Sequence, residues 1–169
     1  MTTLTTHRIT ARPLTPEAFE PFGAVLAATP DGALFSEQEA LLDLSRGTPR
    51  FYVMSLTDKP PAFTGITRHR AVTQALAAVG GRPWLLAVAP PYNVDDPDAV
   101  PSLDDITAFR IPGDVAVLLR RGTWHSGPFF DGEQMSFFNL ELADTNQVDH
   151  HTYRLDRELG VKCEVVAPS

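Results

Sequence analysis

The sequence predicts a mainly β fold, an antiparallel β-barrel or jelly roll with a few short helices. Short runs rich in β-branched and aromatic residues recur along the chain, and breaker residues separate them, with 15 prolines and 11 glycines in 169 residues. Such runs at hairpin-like spacing are typical of barrels and double-sheet jelly rolls. An open α+β sheet is the main alternative.

Length, charge and cysteine content limit the class of protein further. A chain of 169 residues fits one domain with its own core, which we expect to span 1–169. A formal net charge of −7 argues against nucleic acid as a partner. We find no apolar run of the roughly 18 residues that a membrane helix needs, and we expect no membrane partner. Cys163 stands alone, so an internal disulfide is excluded and a cytoplasmic location is expected.

A short helix is predicted near the start of the chain, within 12–23. Thr15 suits the cap position, and Pro16 suits the first helical position. Phe19 and Phe22 are three residues apart and therefore share the face that docks this segment. The segment 36–45 is either a second short helix or a partly ordered loop.

Strands are predicted through the rest of the chain. The predicted strands are 50–56, 66–69, 82–91, 106–111, 115–119, 135–142 and 162–166. The segment 71–79 fits either a strand pair or a small helix. The polar stretch 92–105 is predicted as a loop, and the tail 144–159 as partly helical.

Two of the five histidines lie beside turns near predicted strand ends, and these are His69 and His125. A histidine in that position can pack in the core, carry a proton or bind a metal. His150 and His151 lie in a polar segment and are expected to be a solvated pair, while His7 is expected to be exposed.

Strand alternation places other polar side chains on shared faces. Thr67 and His69 fall on one face of their strand and Arg68 on the other. Asn139 and Glu141 likewise share a face, opposite the apolar residues between and beside them. A carboxylate and an amide on one face are either exposed to solvent or line a polar cavity.

Two segments together resemble the paired motifs of cupins. GDVAVLLRRGTWH (113–125) resembles the second motif, in which a Gly-Asp turn leads through an apolar strand to a glycine turn and a histidine. The first motif, normally His-x-His followed by Glu, is matched by the stretch from Thr67 to Gln74. Thr67 replaces its first histidine, Gln74 replaces its glutamate, and Arg120 replaces the usual proline of the second motif.

With these departures, the sequence resembles the ureidoglycolate lyase family, formerly called ureidoglycolate hydrolases. The resemblance covers most of the chain, with Glu141 and Asp149 at positions where the family has acidic residues. The other segments that carry the resemblance are LTPEAFEPFGAVL (14–26), Arg50-Phe51, RHRAVTQAL (68–76), AFRIPG (108–113) and GTWHSGP (122–128).

The resemblance implies a cupin-type barrel, commonly a homodimer, that splits ureidoglycolate into glyoxylate and urea. This carbon–nitrogen lyase reaction falls late in purine and allantoin breakdown. In such a site His125 is the first candidate for the proton carrier, because an imidazole titrates near neutral pH. His69 is the second candidate, or it orients the hydroxyl. Glu141 either orients a histidine or accepts the urea N–H groups.

Substrate binding is assigned on the same resemblance. An arginine fork suits a carboxylate, and Arg50 is the first choice, with Arg68 and Arg121 as alternatives. Gln74 is expected to donate to a ligand oxygen, and Asn139 to bind the substrate beside it. Trp124 is expected to be a packing residue, and Arg120 is expected to lie at the rim of the site.

Metal dependence is the main alternative within this fold. Two neutral imidazoles, His69 and His125, with the amide of Gln74 are a poorer donor set than the usual three histidines and a glutamate. We therefore expect no tightly bound cofactor and at most a weakly bound divalent metal. The competing hypotheses are a metal-dependent cupin enzyme acting on a small hydroxy or ureido acid, and a non-catalytic cupin that binds a small anion.

Overall fold

The structure is a computed structural model that describes residues 3–168. It confirms the predicted fold class, because strands dominate and the few helices are short. The two large sheets pack face to face as a jelly-roll sandwich and do not close into one continuous barrel. Among the described residues, no helix is long and apolar enough to cross a membrane.

Fourteen strands and three α-helices are found within residues 3–168. The strands are β1 (Thr5–Thr10), β2 (Arg12–Pro13), β3 (Gly23–Leu26), β4 (Pro49–Thr57), β5 (Ala62–Phe63), β6 (Gly65–Arg68), β7 (Gln74–Ala78), β8 (Gly81–Ala89), β9 (Thr107–Gly113), β10 (Ala116–Leu119), β11 (Trp124–Phe129), β12 (Gln134–Leu142), β13 (His151–Arg154) and β14 (Val161–Val166). The helices are α1 (Pro16–Phe19), α2 (Thr145–Val148) and α3 (Leu155–Leu159).

The strands form three sheets. A five-stranded sheet has the order β3-β10-β7-β12-β4, and a six-stranded sheet has the order β13-β6-β11-β8-β9-β2. A three-stranded sheet has the order β1-β14-β5. The pairings are antiparallel except β1 with β14 and β2 with β9, which are parallel, so the prediction of an antiparallel fold misses these two pairs.

The six-stranded sheet is buried on both faces. Its residues Leu86 and Phe109 pack against Leu76 and Phe137 of the five-stranded sheet, and we call this the inter-sheet core. On its other face Trp124 belongs to a second core with residues of β14. Burial on both faces explains why β8 is apolar at successive positions instead of alternating.

Several local predictions are settled by the structure. Thr15 caps α1, its Oγ1 accepting a hydrogen bond from the Ala18 N–H at 3.1 Å. The ambiguous segment 71–79 contains the central strand β7, whose burial alternates because one of its faces packs on the inter-sheet core. The segment 36–45 holds only the 3₁₀ turn Glu39–Leu41. The tail 144–159 contains two short helices with β13 between them.

Candidate active site

Polar side chains from both large sheets meet at one end of the inter-sheet core. His125 lies opposite Val88, a member of that core, and so faces inward from the six-stranded sheet. On the five-stranded sheet, Gln74 and Leu76 are two residues apart on β7 and so share a face. Because Leu76 packs in the inter-sheet core, Gln74 also faces inward. A small void is bordered by His69, Gln74 and His125, so the structure brings these three predicted residues together.

The histidine wall, His69 and His125, has its imidazole orientation set by the backbone. The two ring centroids are 5.0 Å apart. His69 Nδ1 lies 2.6 Å from the Asp149 carbonyl, and His125 Nδ1 lies 3.3 Å from the Thr123 carbonyl. Because a carbonyl oxygen only accepts, each Nδ1 carries the proton, and each Nε2 keeps a free lone pair.

Burial keeps both imidazoles neutral. Loss of solvent lowers the pKa of His125 to about 3, and repulsion from His69 adds to the effect. Burial also lowers the pKa of His69, although the nearby Asp149 carbonyl and charge oppose the shift. The expectation that His125 titrates near neutral pH is therefore wrong, because the site penalises its charged form.

The loop that carries His69 is held by Asp149. The Asp149 carboxylate accepts hydrogen bonds from the backbone N–H groups of Arg70 at 2.7 Å and Ala71 at 2.8 Å. The Gly122 N–H donates to the His69 carbonyl at 2.7 Å, joining the His69 loop to the turn before β11, the strand that carries His125. Gly122 has φ of +86°, and a Cβ there would collide with Val94. Asp149 and Gly122 thus position the histidine wall.

The carboxylate wall lies on the inner face of the five-stranded sheet and contains Glu141, Asn139, Gln74 and Tyr52. Glu141 accepts from the Tyr52 hydroxyl at 3.1 Å and from Gln74 Nε2 at 3.3 Å. Gln74 Nε2 also donates to Asn139 Oδ1 at 3.1 Å, and Asn139 Nδ2 donates to the Tyr52 hydroxyl oxygen at 3.1 Å. The shared face predicted for Asn139 and Glu141 is therefore a buried hydrogen-bonded network.

Arg50 lies at the exposed rim of this wall. Its guanidinium lies 3.6 Å from the centroid of the Tyr52 ring, and Arg50 is directly opposite Glu141 in the pairing of β4 with β12. Burial raises the pKa of Glu141, while the Tyr52 hydrogen bond and the charge of Arg50 oppose the rise. Arg50 as the carboxylate-binding residue stays a prediction that this position supports.

Arg68 lies outside the candidate site, contrary to its assignment as a substrate-binding residue. It is fully buried, and its guanidinium lies 4.8 Å from the centroid of the Trp124 ring. Its Nε donates to His151 Nδ1 at 2.9 Å, and its other nitrogens donate to the carbonyls of Asn93 and Asp96. Strand alternation directs it to the face away from His125, where it anchors the 92–105 loop.

Arg121, the remaining alternative for the substrate carboxylate, and Arg120 also serve the scaffold. Arg121 donates to the Arg70 carbonyl at 2.9 Å and to Asp95 Oδ1 at 3.1 Å. Arg120 donates to the carbonyl and the carboxylate of Glu20. Trp124 is buried, as expected for a packing residue.

Two residues of the site are absent from the sequence-based assignment. His150 is exposed, but its ring centroid lies 5.7 Å from that of His69. Together with Lys59, Thr67 and His125 it lines a cavity of about 410 Å³. Tyr52 shares a strand face with Arg50, and that alternation could have indicated it. His150 carried no such signal, because it follows α2 in a polar segment.

The cupin resemblance implies a metal, and the donor set fits one poorly. Within residues 3–168, no group of three or more His, Cys, Asp or Glu side chains is arranged to hold a metal ion. Thr67 takes the place of the first motif histidine, and its hydroxyl is 2.7 Å from that of Thr152. Gln74 offers only a neutral amide oxygen in place of a carboxylate. We therefore derive no chemical step through a metal.

Comparison with known proteins extends this picture. Residues 27–162 match the family model described as ureidoglycolate lyase. The chain is 31% identical to the ureidoglycolate lyase of Agrobacterium fabrum, over 68% of this chain and 72% of that protein. It is 31% identical to that of Rhizobium etli, over 77% and 81%. It is 25% identical to that of Azotobacter vinelandii, over 89% and 95%.

Solved structures give a more distant likeness. Oxalate decarboxylase from Bacillus subtilis at pH 4.6 aligns with a TM-score of 0.41 and 12% sequence identity. A deletion mutant of the same enzyme also aligns with a TM-score of 0.41. The alignment covers 67% of this chain and 25% of the mutant chain, so this chain spans about a quarter of that protein's length.

Proposed function

This chain belongs to the ureidoglycolate lyase family, and we propose that it splits ureidoglycolate into glyoxylate and urea. One observation of the site carries the proposal. Two neutral imidazoles, His69 and His125, hold free Nε2 lone pairs at a buried end of the core, opposite a wall of amide and carboxylate groups. That arrangement can accept a hydroxyl proton and hold a polar leaving group.

The reaction transfers one proton within the substrate. His125 Nε2 accepts the proton of the carbinol hydroxyl, and the O–H electron pair forms the glyoxylate carbonyl. The carbon–nitrogen bond breaks, and its electron pair stays on the urea nitrogen. The His125 imidazolium then returns the proton to that nitrogen, so the enzyme ends in its starting state. His69, whose Nε2 also holds a lone pair, is the alternative acceptor of this proton.

The low pKa of His125 suits the second half of this sequence. A pKa of about 3 makes the neutral ring a weak base but its protonated form a strong acid. The urea nitrogen is a poor leaving group unless it is protonated as the bond breaks. We infer that the site favours rapid return of the proton over long-lived storage of it.

Arg50 and Glu141 complete the proposed binding of the substrate. Arg50 stands at the exposed rim, where a guanidinium fork can take both oxygens of the substrate carboxylate. Glu141 lies deeper and accepts from Tyr52 and Gln74, which holds the carboxylate wall in one arrangement. The substrate would then run from the rim inward, with its ureido group towards Gln74.

We further propose a homodimer located in the cytoplasm and acting late in purine and allantoin breakdown. Phe51 and Phe138 are exposed on the outer face of the five-stranded sheet, with ring centroids 5.7 Å apart. An exposed apolar patch of this kind supports a contact with a second copy. Cys163 is free and buried, in keeping with a reducing compartment. Sedimentation of the purified chain tests the dimer.

A direct assay tests the proposed reaction. The purified chain is incubated with ureidoglycolate in the presence of a chelator, and glyoxylate and urea are both measured. We expect the two products in equal amounts. If activity disappears on chelation and returns with one particular ion, the metal-dependent alternative replaces this mechanism. If neither product forms either with or without the chelator, the proposed substrate is wrong.

A further inference from the structure

We propose that Gln74 determines specificity by accepting a hydrogen bond, through its Oε1, from the terminal NH₂ of the ureido group. This inference rests on the proposed function and adds a subsite to it. It reverses the role predicted from the sequence, in which Gln74 donates to a ligand oxygen. The reversal follows from the groups that surround the amide.

The orientation of the Gln74 amide is set by two acceptors. Its Nε2 lies 3.1 Å from Asn139 Oδ1 and 3.3 Å from Glu141 Oε2. A flipped amide would place its oxygen against both of these oxygens. Asn139 cannot turn to relieve this, because its Nδ2 donates to the Tyr52 hydroxyl, which in turn donates to Glu141. The Glu141 carboxylate therefore sets the direction of the whole network.

This arrangement leaves one acceptor unused. Gln74 is only 7% exposed, and within residues 3–168 its Oε1 has no hydrogen-bond partner. A buried acceptor without a partner is costly, so its presence calls for a donor. Gln74 borders the void shared with His69 and His125, and both of those imidazoles present Nε2 lone pairs, not donors. The other polar side chains at this void, Arg120 and Thr123, donate to Glu20 and to the Phe22 carbonyl, so we assign the donor to the ligand.

The chemistry of the proposed substrate identifies that donor. The inner ureido nitrogen must face His125, which returns the proton to it. The substrate carboxylate is taken by Arg50 at the rim. The terminal NH₂ is then the remaining donor, and its hydrogen-bonding character matches that of the free acceptor on the wall. A ligand with a methyl group at this position would leave Gln74 Oε1 unpaired.

Two unreactive ligands test this subsite directly. Ureidoacetate lacks the hydroxyl and cannot be split, and N-acetylglycine differs from it by a methyl group in place of the terminal NH₂. Their dissociation constants are measured by calorimetry for wild type, Gln74→Met and Gln74→Leu. Gln38→Met is the matched control, because Gln38 is exposed and its side chain makes no capping hydrogen bond.

We expect wild type and Gln38→Met to prefer ureidoacetate by about tenfold, and both Gln74 variants to lose that preference. A merely structural role for Gln74 would weaken both ligands together and leave their ratio unchanged, which would overturn the inference. An equal affinity of wild type for both ligands would overturn it as well. If wild type shows the preference but does not split ureidoglycolate, the subsite stands and the proposed reaction fails.

Discussion

The histidine wall and the carboxylate wall face the same end of the core but are held in different ways. Each imidazole of the histidine wall is fixed by a backbone carbonyl, and its reactive nitrogen is left free. In the carboxylate wall, side chains hold one another, and Glu141 accepts from both Tyr52 and Gln74. The first wall therefore offers lone pairs for chemistry, while the second offers a fixed surface for recognition.

Burial shifts the pKa values of the two walls in opposite directions. It lowers the pKa of His69 and His125 and raises the pKa of Glu141, because in each case it penalises the charged form. The Tyr52 hydrogen bond and the charge of Arg50 oppose the rise in the pKa of Glu141, and Asp149 opposes the fall in the pKa of His69. On this comparison we propose that the histidine wall transfers the proton and that the carboxylate wall anchors the charge of the substrate.

The largest effect is expected from removing the proton carrier. His125→Ala should lower kcat about 10³-fold with a smaller change in KM, because general acid–base catalysis contributes about that factor. Steady-state kinetics with ureidoglycolate give both constants. His7→Ala, on β1, is the control and should retain wild-type kinetics. A His125→Ala enzyme with near-normal kcat would move proton transfer away from this wall.

A smaller loss is expected from neutralising the carboxylate wall. Glu141→Gln replaces the charged acceptor of two hydrogen bonds, and such bonds are worth about 2 kcal/mol. We expect kcat/KM to fall about thirtyfold. Glu133→Gln changes an exposed carboxylate just before β12 and should have no effect. Equal losses in both variants would show that the network does not support the reaction.

The pH dependence of stability distinguishes the walls in another way. Unfolded His125 binds a proton below its ordinary pKa of 6.5, but the folded residue does so only near 3. The unfolded state therefore binds more protons in between, and stability falls as the pH is lowered through this window. Between pH 7 and 5.5 we expect His125 to account for about 1 kcal/mol of lost unfolding free energy.

Urea denaturation of wild type and His125→Gln at both pH values measures this loss. The variant should lose less stability on acidification than wild type does. Glu141 has a raised pKa and so works in the opposite direction, since its contribution is lost as the pH rises through its folded pKa. Parallel losses in wild type and variant would mean that His125 is not held neutral by the fold.

The smallest kinetic effect is expected at the rim. Arg50→Lys keeps the charge but loses the planar fork that binds two carboxylate oxygens. We expect KM to rise about fivefold with kcat nearly unchanged. Arg12→Lys is the control, because Arg12 also lies over an aromatic ring, that of Phe109, but outside the site. A fall in kcat without a change in KM would assign Arg50 to the chemistry.

Strand alternation predicted much of the site from the sequence. It placed Asn139 and Glu141 on one face and turned Arg68 away from Thr67, and the hydrogen bonds agree with both. Alternation also places Tyr52 on the face of Arg50, but this was missed, and only the cross-strand register shows that Tyr52 pairs with Asn139. The orientation of the Gln74 amide was not predictable either. Whether its free end donates or accepts depends on neighbours that only the fold brings together.

The direct test of this account is the protonation state of the histidine wall. Nitrogen-15 NMR of the imidazoles reports both charge and tautomer between pH 7.5 and 4.5. We predict that His125 stays neutral throughout, with the proton on Nδ1, as its pKa of about 3 requires. A His125 that titrates near pH 6.5 would show that the fold does not hold the ring neutral, and a proton on Nε2 would contradict the proposed proton transfer.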